Sequence, residues 1–187
     1  MAIRHIILDR DGVLNDESES FIAGPADWRW LPGSLEALSL FTRAGLRLSV
    51  VTNQASVGRG LLAPEALEAI HAGMTREASE AGGTIHAIFV CPHAPAEECQ
   101  CRKPAPGLIK AAIASAGIPP SDTLLVGDDG RDIDAAQAAG IDALLVLTGK
   151  GRETARSPYF HHIPVYDDLR AVAEALTVHP QTDKRAS

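Results

Sequence analysis

Two aspartates separated by a single residue follow an apolar run near the start of the chain. Asp9 and Asp11 come after residues 3–8 and are followed directly by Gly12. Side chains two positions apart in an extended chain point to the same side, so the two carboxylates are expected to project together. Because like charges at close range make each other harder to ionise, such a pair needs a bound cation or a shared proton, as active sites provide. The alternative is a surface turn, since Asp-x-Asp-Gly is rich in turn-forming residues.

Further polar residues follow the next predicted strands along the chain. They are Thr52–Gln54 after the second strand, Arg102–Lys103 in the loop after the third, and Asp128–Asp129 after the fourth. Ligands of a parallel sheet bind beyond the carboxyl ends of its strands. We therefore expect these residues to meet Asp9 and Asp11 in one crevice, which favours the active-site interpretation over the turn.

The elements that must position these residues alternate between apolar, β-branched runs and helical patterns. The predicted strands are residues 3–8, 46–52, 85–91, 123–127 and 143–147, and the predicted helices are residues 34–44, 64–81, 106–116, 133–139 and 167–176. Such alternation predicts a parallel sheet with helices on both faces. We predict one doubly wound α/β domain of about five strands over residues 1–180, without a large cap domain, and a mobile tail over residues 181–187.

Composition excludes several classes of partner. The 187 residues are 45% hydrophobic and 22% charged, with a net charge of -7. We expect no nucleic-acid partner, because nucleic-acid-binding surfaces are normally basic. We also expect no membrane partner, since no apolar stretch approaches the about 18 residues of a membrane span, and no signal peptide precedes the first strand. The expectation is a cytoplasmic monomer with a small-molecule substrate.

The residue types fit phosphoryl transfer to a carboxylate and then to water. A carboxylate nucleophile divides a difficult hydrolysis into two easier steps. Positive charge and oriented donors must then stabilise the phosphoryl oxygens, and the candidates are Thr52, Asn53 and Lys103. Asp9 and Asp128 offer hard oxygen ligands that suit Mg²⁺, while Asp11 can serve as the second acid. Asp128, Asp129 and Asp132 also suit the N-terminus of the following helix, a role compatible with metal binding.

Three cysteines and one histidine form a second candidate site. The pattern is Cys91-x-His93-x5-Cys99-x-Cys101. Three thiolates and an imidazole are a complete tetrahedral set for a structural Zn²⁺. The alternative is three unrelated cysteines, but an odd count disfavours a disulfide framework. Zinc would order a small loop and fix Arg102 and Lys103 directly behind it.

Taken in order, these motifs resemble those of the haloacid dehalogenase superfamily of phosphatases. The match is carried by Asp9–Gly12, Thr52–Asn53, Lys103 and Gly127–Asp129, and it spans residues 3–147. The resemblance implies that Asp9 is the nucleophile and Asp11 the general acid/base. It also implies that Asp9, the Asp11 backbone carbonyl and Asp128 hold Mg²⁺, with Asp129 as a further candidate ligand, and that Thr52 and Lys103 stabilise the phosphoryl group.

The zinc loop followed by Cys101–Pro104 narrows the resemblance to two branches. Residues 52–60 and 148–152 look more like heptose 1,7-bisphosphate phosphatases than histidinol-phosphate phosphatases. That branch implies removal of the 7-phosphate in nucleotide-activated heptose biosynthesis; the histidinol-phosphate reaction is the alternative. The implied substrate contacts are Glu17, Ser18, Glu19, Ser20, Asn53, Gln54, Ala55, Arg59 and Arg102. The chain departs from the branch at Ala55–Ser56, where Ser-Gly is usual, and at Asp129, where Lys or Ser is usual.

A function of another class is a phosphoacceptor signalling module. Such modules also place acidic residues, a Thr and a Lys around a parallel sheet, but they retain the acyl phosphate. Their phosphorylated Asp follows the third strand, where this chain has Cys91. The phosphatase interpretation is therefore favoured.

Overall fold

Six strands form one parallel sheet in this computed structural model, which describes residues 2–16 and 22–177. They are β1 (His5–Leu8), β2 (Arg47–Asn53), β3 (Ala87–Cys91), β4 (Thr123–Gly127), β5 (Asp142–Val146) and β6 (Val165–Tyr166). Their order is β3-β2-β1-β4-β5-β6, and every neighbouring pair is parallel.

The expected number of about five strands is corrected to six. Strand β6 pairs with β5 through Leu145–Val165 and Val146–Tyr166. Two residues are too few to display the alternation that marks a strand in a sequence. The parallel, doubly wound class itself is confirmed.

The described helices flank the strands. They are α1 (Ser34–Arg43), α2 (Ala55–Gly58), α3 (Pro64–Glu80), α4 (Gly107–Ala116), α5 (Gly130–Ala139), α6 (Gly151–Thr154) and α7 (Leu169–Thr177). Helix α5 begins three residues before its predicted start, because a capping box opens it. The Asp129 side chain accepts from the Arg131 amide at 3.0 Å, and the Asp129 amide donates to Asp132 Oδ2 at 3.2 Å.

The core lies in two layers, one on each face of the sheet. Ile6 and Leu8 of β1 pack with α1, α3 and α7 on one face, whereas Ile7 packs with α4 and α5 on the other. Every residue of β1 is buried, as expected for the centre of a parallel sheet. The end of β1 is therefore held firmly beside the ends of β2 and β4, where the polar residues lie.

Among the helices the structure describes, none is long and apolar enough to cross a membrane. The tail predicted over residues 181–187 lies outside the described residues.

Candidate active site

A cavity of about 240 Å³ opens at the carboxyl edge of the sheet. Every residue in its lining is polar or charged, and the lining draws on the carboxyl ends of β1, β2, β3, β4 and β5 and the segments after them. The lining residues are Asp9, Asp11, Thr52, Asn53, Arg102, Lys103, Asp128, Asp129, Arg131, Asp132 and Lys150. The structure thus brings together the residues that the strand ends were expected to supply.

Lys103 is the buried cation of this cavity. Its Nζ lies 2.8 Å from Asp9 Oδ1 and 2.6 Å from Asp132 Oδ1, and it donates to the Val51 carbonyl at 3.2 Å. The side chain is only 3% exposed, so its charge requires partners of opposite sign. Although burial lowers the pKa of Lys103, Asp132 and Asp9 outweigh burial and raise it above its usual value. The ammonium therefore keeps its proton.

Three carboxylates cluster in this part of the cavity. Oxygen atoms of Asp9, Asp128 and Asp132 all lie within 4.8 Å of one another. Burial, together with Asp132 and Asp128, raises the pKa of Asp9 well above its usual value, and Lys103 only partly offsets the rise. The three carboxylates carry more negative charge than the Lys103 ammonium can neutralise, and their oxygens are hard ligands. Such a site suits a divalent cation such as Mg²⁺. Asp132 joins this group, in addition to the helix-capping role expected for it.

Glycines let the Asp128 carboxylate approach the backbone. Its Oδ2 accepts from the Lys150 amide at 2.7 Å. A Cβ atom on Gly12 or on Gly149 would collide with this carboxylate, and both glycines have positive φ angles, of 82° and 51°. The Gly12 that follows the two aspartates is therefore needed for close packing of the acidic group.

Asp129 contacts cations rather than the acidic group. Its Oδ1 accepts from Arg131 Nε at 3.0 Å and its Oδ2 from Arg131 Nη2 at 2.6 Å, while Lys150 Nζ lies 3.9 Å away. Burial raises the pKa of Asp129, but Arg131 and Lys150 outweigh burial and lower it. The Asp129 carboxylate, which stands where Lys or Ser is usual in the related branch, is thus neutralised by Arg131 and Lys150. Its role as a metal ligand stays a prediction.

Asp11 is surrounded by hydrogen-bond donors. Its Oδ1 accepts from Arg10 Nη2 at 2.8 Å and from Asn15 Nδ2 at 3.0 Å, and its Oδ2 accepts from Gln54 Nε2 at 2.7 Å. Burial alone raises the pKa of Asp11, yet Arg10, Asn15 and Gln54 together lower it. The same Gln54 nitrogen lies 2.8 Å from Thr52 Oγ1. Gln54, predicted as a substrate contact, therefore links the acid/base candidate to the phosphoryl-binding candidate Thr52.

Asn53 holds the Lys103 loop in place. Its Nδ2 donates to the Lys103 carbonyl at 3.1 Å, and its Oδ1 accepts from the Lys103 amide at 3.1 Å. These two hydrogen bonds engage both the amide and the carbonyl of Lys103, as a neighbouring strand would, and they join two segments that are far apart in sequence. The predicted contact of Asn53 with substrate remains a prediction, although the residue lines the cavity.

The three cysteines and His93 converge behind this loop. Cys101 Sγ lies 3.3 Å from both Cys91 Sγ and Cys99 Sγ, and 3.2 Å from His93 Nδ1. None of the three thiols forms a disulfide. The four ligand atoms lie within 4.8 Å of one another, as a shared metal ion requires. The cluster could therefore bind zinc, and it joins the end of β3 to the segment that carries Arg102 and Lys103.

Several other predicted substrate contacts either fall outside the described residues or do not line the cavity. Glu17, Ser18, Glu19 and Ser20 are outside the described residues. Arg59 is exposed just after α2, and neither it nor Ala55 is among the residues that line the cavity. Arg131 and Lys150 line it instead. The strand-end rule could have found both, since Arg131 follows β4 in the first turn of α5 and Lys150 follows β5.

Comparisons with known proteins agree with this geometry. Residues 100–172 match the model of the HAD-hydrolase-like family. The chain is 43% identical over 172 residues to the D-glycero-beta-D-manno-heptose-1,7-bisphosphate 7-phosphatase of Bordetella bronchiseptica, covering 91% of this chain and 96% of that protein. The protein of the same name from Neisseria meningitidis serogroup A is 42% identical over 168 residues, with 88% and 89% covered.

Two solved structures share the fold over nearly their whole length. The D,D-heptose 1,7-bisphosphate phosphatase of B. bronchiseptica, complexed with magnesium and phosphate, is 42% identical with a TM-score of 0.88, covering 93% of this chain and 98% of that one. The corresponding protein of Burkholderia thailandensis is 38% identical with a TM-score of 0.73, covering 94% and 99%.

Proposed function

Since this chain belongs to the D-glycero-beta-D-manno-heptose-1,7-bisphosphate 7-phosphatase family, we propose that it hydrolyses the 7-phosphate of that sugar bisphosphate. One observation carries the proposal. Asp9, directly after the central strand, lies 2.8 Å from a buried lysine in a small polar cavity, where its carboxylate clusters with those of Asp128 and Asp132. This is the arrangement that a carboxylate nucleophile and a phosphoryl group require.

The first step is attack of Asp9 on the 7-phosphorus. An Asp9 oxygen forms a bond to phosphorus while the bond to the sugar oxygen breaks, which yields an aspartyl phosphate and a sugar alkoxide. Lys103, whose Nζ lies 2.8 Å from Asp9 Oδ1, offers its charge to the phosphoryl oxygens. Thr52, whose hydroxyl lines the cavity, offers a hydrogen bond to the same group. Asp11 supplies the proton that the leaving oxygen takes; it must first bind that proton, because its donor-rich surroundings favour the carboxylate.

The second step is hydrolysis of the aspartyl phosphate by water. Asp11 is now a carboxylate, and its donor-rich surroundings favour that form. It accepts a proton from the attacking water, and Asp9 is regenerated as phosphate departs. Asp11 is thereby protonated again, with a proton from water in place of the one that it gave to the sugar oxygen.

Asp9, Asp128 and Asp132 would hold Mg²⁺, because their oxygens converge and their charge exceeds that of Lys103. The solved B. bronchiseptica relative contains magnesium and phosphate. When bound, the ion supplies positive charge that offsets the repulsion between the carboxylates and the phosphate.

A substrate with two phosphates needs cations beyond Lys103. Arg102, Arg131 and Lys150 lie in the wall of the same cavity, and Arg131 and Lys150 retain 43% and 44% exposure. We assign the 1-phosphate to these cations, in place of Arg59. The same observation disfavours histidinol phosphate, whose far end carries an ammonium group that the cations would repel.

The test is a comparison of kcat/KM for the beta-configured heptose 1,7-bisphosphate, the heptose 7-phosphate and histidinol phosphate, each with Mg²⁺. We expect the bisphosphate to exceed histidinol phosphate by at least about 100-fold. A preference for histidinol phosphate would overturn the substrate assignment.

In Arg131→Met, KM for the bisphosphate should rise about tenfold, since a charged hydrogen bond is lost, with little change for the 7-phosphate. Arg152→Met, an exposed arginine on α6, is the matched control.

We further propose that Cys91, His93, Cys99 and Cys101 bind a structural zinc ion. Their four ligand atoms lie within reach of one ion, and none of the three thiols forms a disulfide; both observations support this assignment. Unpaired thiols also suit the reducing cytoplasm, where we place the activity, and we propose a monomer.

A further inference from the structure

Arg10 stands between the two candidate catalytic aspartates and is buried. The residue is 1% exposed, although both of its neighbours in sequence line the cavity. Its Nη2 lies 2.8 Å and 3.0 Å from the two carboxylate oxygens of Asp11, and its Nε donates to Asp11 Oδ1 at 3.2 Å. Arg10 therefore engages both oxygens of this carboxylate, which fixes its plane as well as its position.

The guanidinium is held in turn by two side chains from other parts of the fold. Its Nη1 lies 3.1 Å from His71 Nε2, on helix α3, and it lies over the Trp28 ring at 5.8 Å from the ring centroid. A guanidinium has donors only, so His71 Nε2 is the acceptor. Burial and the nearby Arg10 lower the pKa of His71 to about 4, which keeps the ring neutral and able to accept.

We infer that His71 is a positioning residue for Asp11 and acts through Arg10. A planar guanidinium has a rigid fork of donors, so a hydrogen bond at Nη1 sets the direction of the donors at Nη2 and Nε. The contact with His71 thereby aims the Asp11 carboxylate at the sugar oxygen that leaves in the first step. The inference rests on the acid/base role proposed above for Asp11.

Proton transfer depends strongly on such alignment. An acid must lie within hydrogen-bond reach of the atom that it protonates, and a small displacement of a catalytic group slows a reaction severely. On the opposite oxygen, Gln54 bonds both Asp11 and Thr52. Asp11 is thus held from α3 through Arg10 and from the end of β2 through Gln54.

The test compares His71→Phe with His71→Gln on two substrates. Phe has a similar shape but no acceptor, whereas the Gln Oε1 can take the place of Nε2. The leaving group of heptose bisphosphate is a sugar alkoxide, which needs a proton. The leaving group of p-nitrophenyl phosphate is p-nitrophenolate, which departs without one. The value of kcat/KM reports the steps up to the aspartyl phosphate. We expect His71→Phe to lower it about tenfold for the sugar and less than about twofold for p-nitrophenyl phosphate, and His71→Gln to restore it.

A matched control removes another histidine acceptor far from the cavity. His86 Nδ1 accepts from the Leu48 amide at 3.2 Å, so His86→Phe makes the same chemical change and should leave the ratio of the two substrates unchanged. If His71→Phe does not fold, His71→Asn replaces it, because its shorter amide does not reach Arg10. Equal losses on both substrates, or no loss on either, would overturn the inference.

Asp11→Asn separates this inference from the proposed function. If Asp11→Asn harms the sugar far more than p-nitrophenyl phosphate while His71→Phe does not, the role of His71 alone is wrong. If Asp11→Asn harms both equally, Asp11 is not the acid, and both the inference and that part of the mechanism fail.

Discussion

Asp9 and Asp11 are two residues apart, yet they lie in opposite electrostatic surroundings. Asp9 shares its side of the cavity with Asp128 and Asp132, and the buried Lys103 forms ion pairs with Asp9 and Asp132. Within the described part of the chain, the side chains bonded to Asp11 are those of Arg10, Asn15 and Gln54, and all three donate to it. The pKa of Asp9 is raised by burial and Asp132, whereas donors, Arg10 foremost, outweigh burial and lower the pKa of Asp11. Similar carboxylates are thus prepared for different tasks.

The difference suits the two roles proposed above, a metal-binding nucleophile at Asp9 and an acid/base group at Asp11. The acidic side of the cavity, formed by Asp9, Asp128 and Asp132, has a surplus of negative charge that a bound cation can neutralise. The donor side, where Arg10, Asn15 and Gln54 surround Asp11, has a balanced ion pair between Arg10 and Asp11 and needs no bound cation. The same Asp→Asn change should therefore affect protein stability in opposite directions at the two positions.

Asp9→Asn should produce the largest loss of activity. Removing the nucleophile is expected to slow phosphate release by about 10⁴-fold or more, with the folded state as stable as before or more so, because one of three clustered carboxylates becomes neutral. Phosphate release and the melting temperature are the measurements. Asp134→Asn, on the exposed side of α5, controls for the substitution. A clear drop in melting temperature would show that the acidic side is not strained by its charge.

Lys103→Met should follow, with losses of both kinds. Without the ammonium, the phosphoryl group loses its nearest cation, and turnover should fall about 10³-fold. The buried Asp9 and Asp132 also lose their partner, so the free energy of unfolding should fall by about 3–5 kcal/mol. Denaturant unfolding without added Mg²⁺ measures the second effect. Unchanged stability would mean that the carboxylates are already neutral without Lys103.

Asp11→Asn should reduce sugar-phosphate turnover about 10²-fold, the lower end for loss of a general acid/base. Unlike Asp9→Asn, it should destabilise the protein by about 1–3 kcal/mol, because the buried Arg10 loses its counterion. The pair of variants is best measured side by side by denaturant unfolding. An Asp11→Asn protein as stable as the unsubstituted chain would break the comparison between the two sides.

Zinc removal should produce the smallest effect and reach the acidic side alone. Cys101→Ser or chelation should loosen the loop that carries Lys103, lower the melting temperature and reduce turnover about tenfold. The bonds of Asp11 to Arg10 and Gln54 arise elsewhere and should persist. Zinc content by elemental analysis and the melting temperature test this together. Full activity and stability in a metal-free protein would exclude a structural ion at the cysteine cluster.

The sequence was most informative where residue type and strand position coincide. Asp9 and Asp128 directly follow buried strands and Thr52 lies at the end of one, so the rule for parallel sheets predicts that all three lie at one edge. The four zinc-ligand candidates were found from spacing alone, because they lie close together in the chain. Sequence was least informative for α5, which begins earlier than its apolar pattern shows, since a cap of Asp129 and Asp132 opens it.

By itself, then, the amino-acid sequence determined the parallel α/β class, the edge at which chemistry occurs and the family. Only the tertiary structure decided what each charged side chain faces. Arg10 is buried against His71, which lies 61 positions away, and Lys103 joins Asp9 to Asp132 across three segments. Periodicity and spacing report local geometry, whereas the charge felt by a buried group is set by neighbours that only packing brings within a few ångströms.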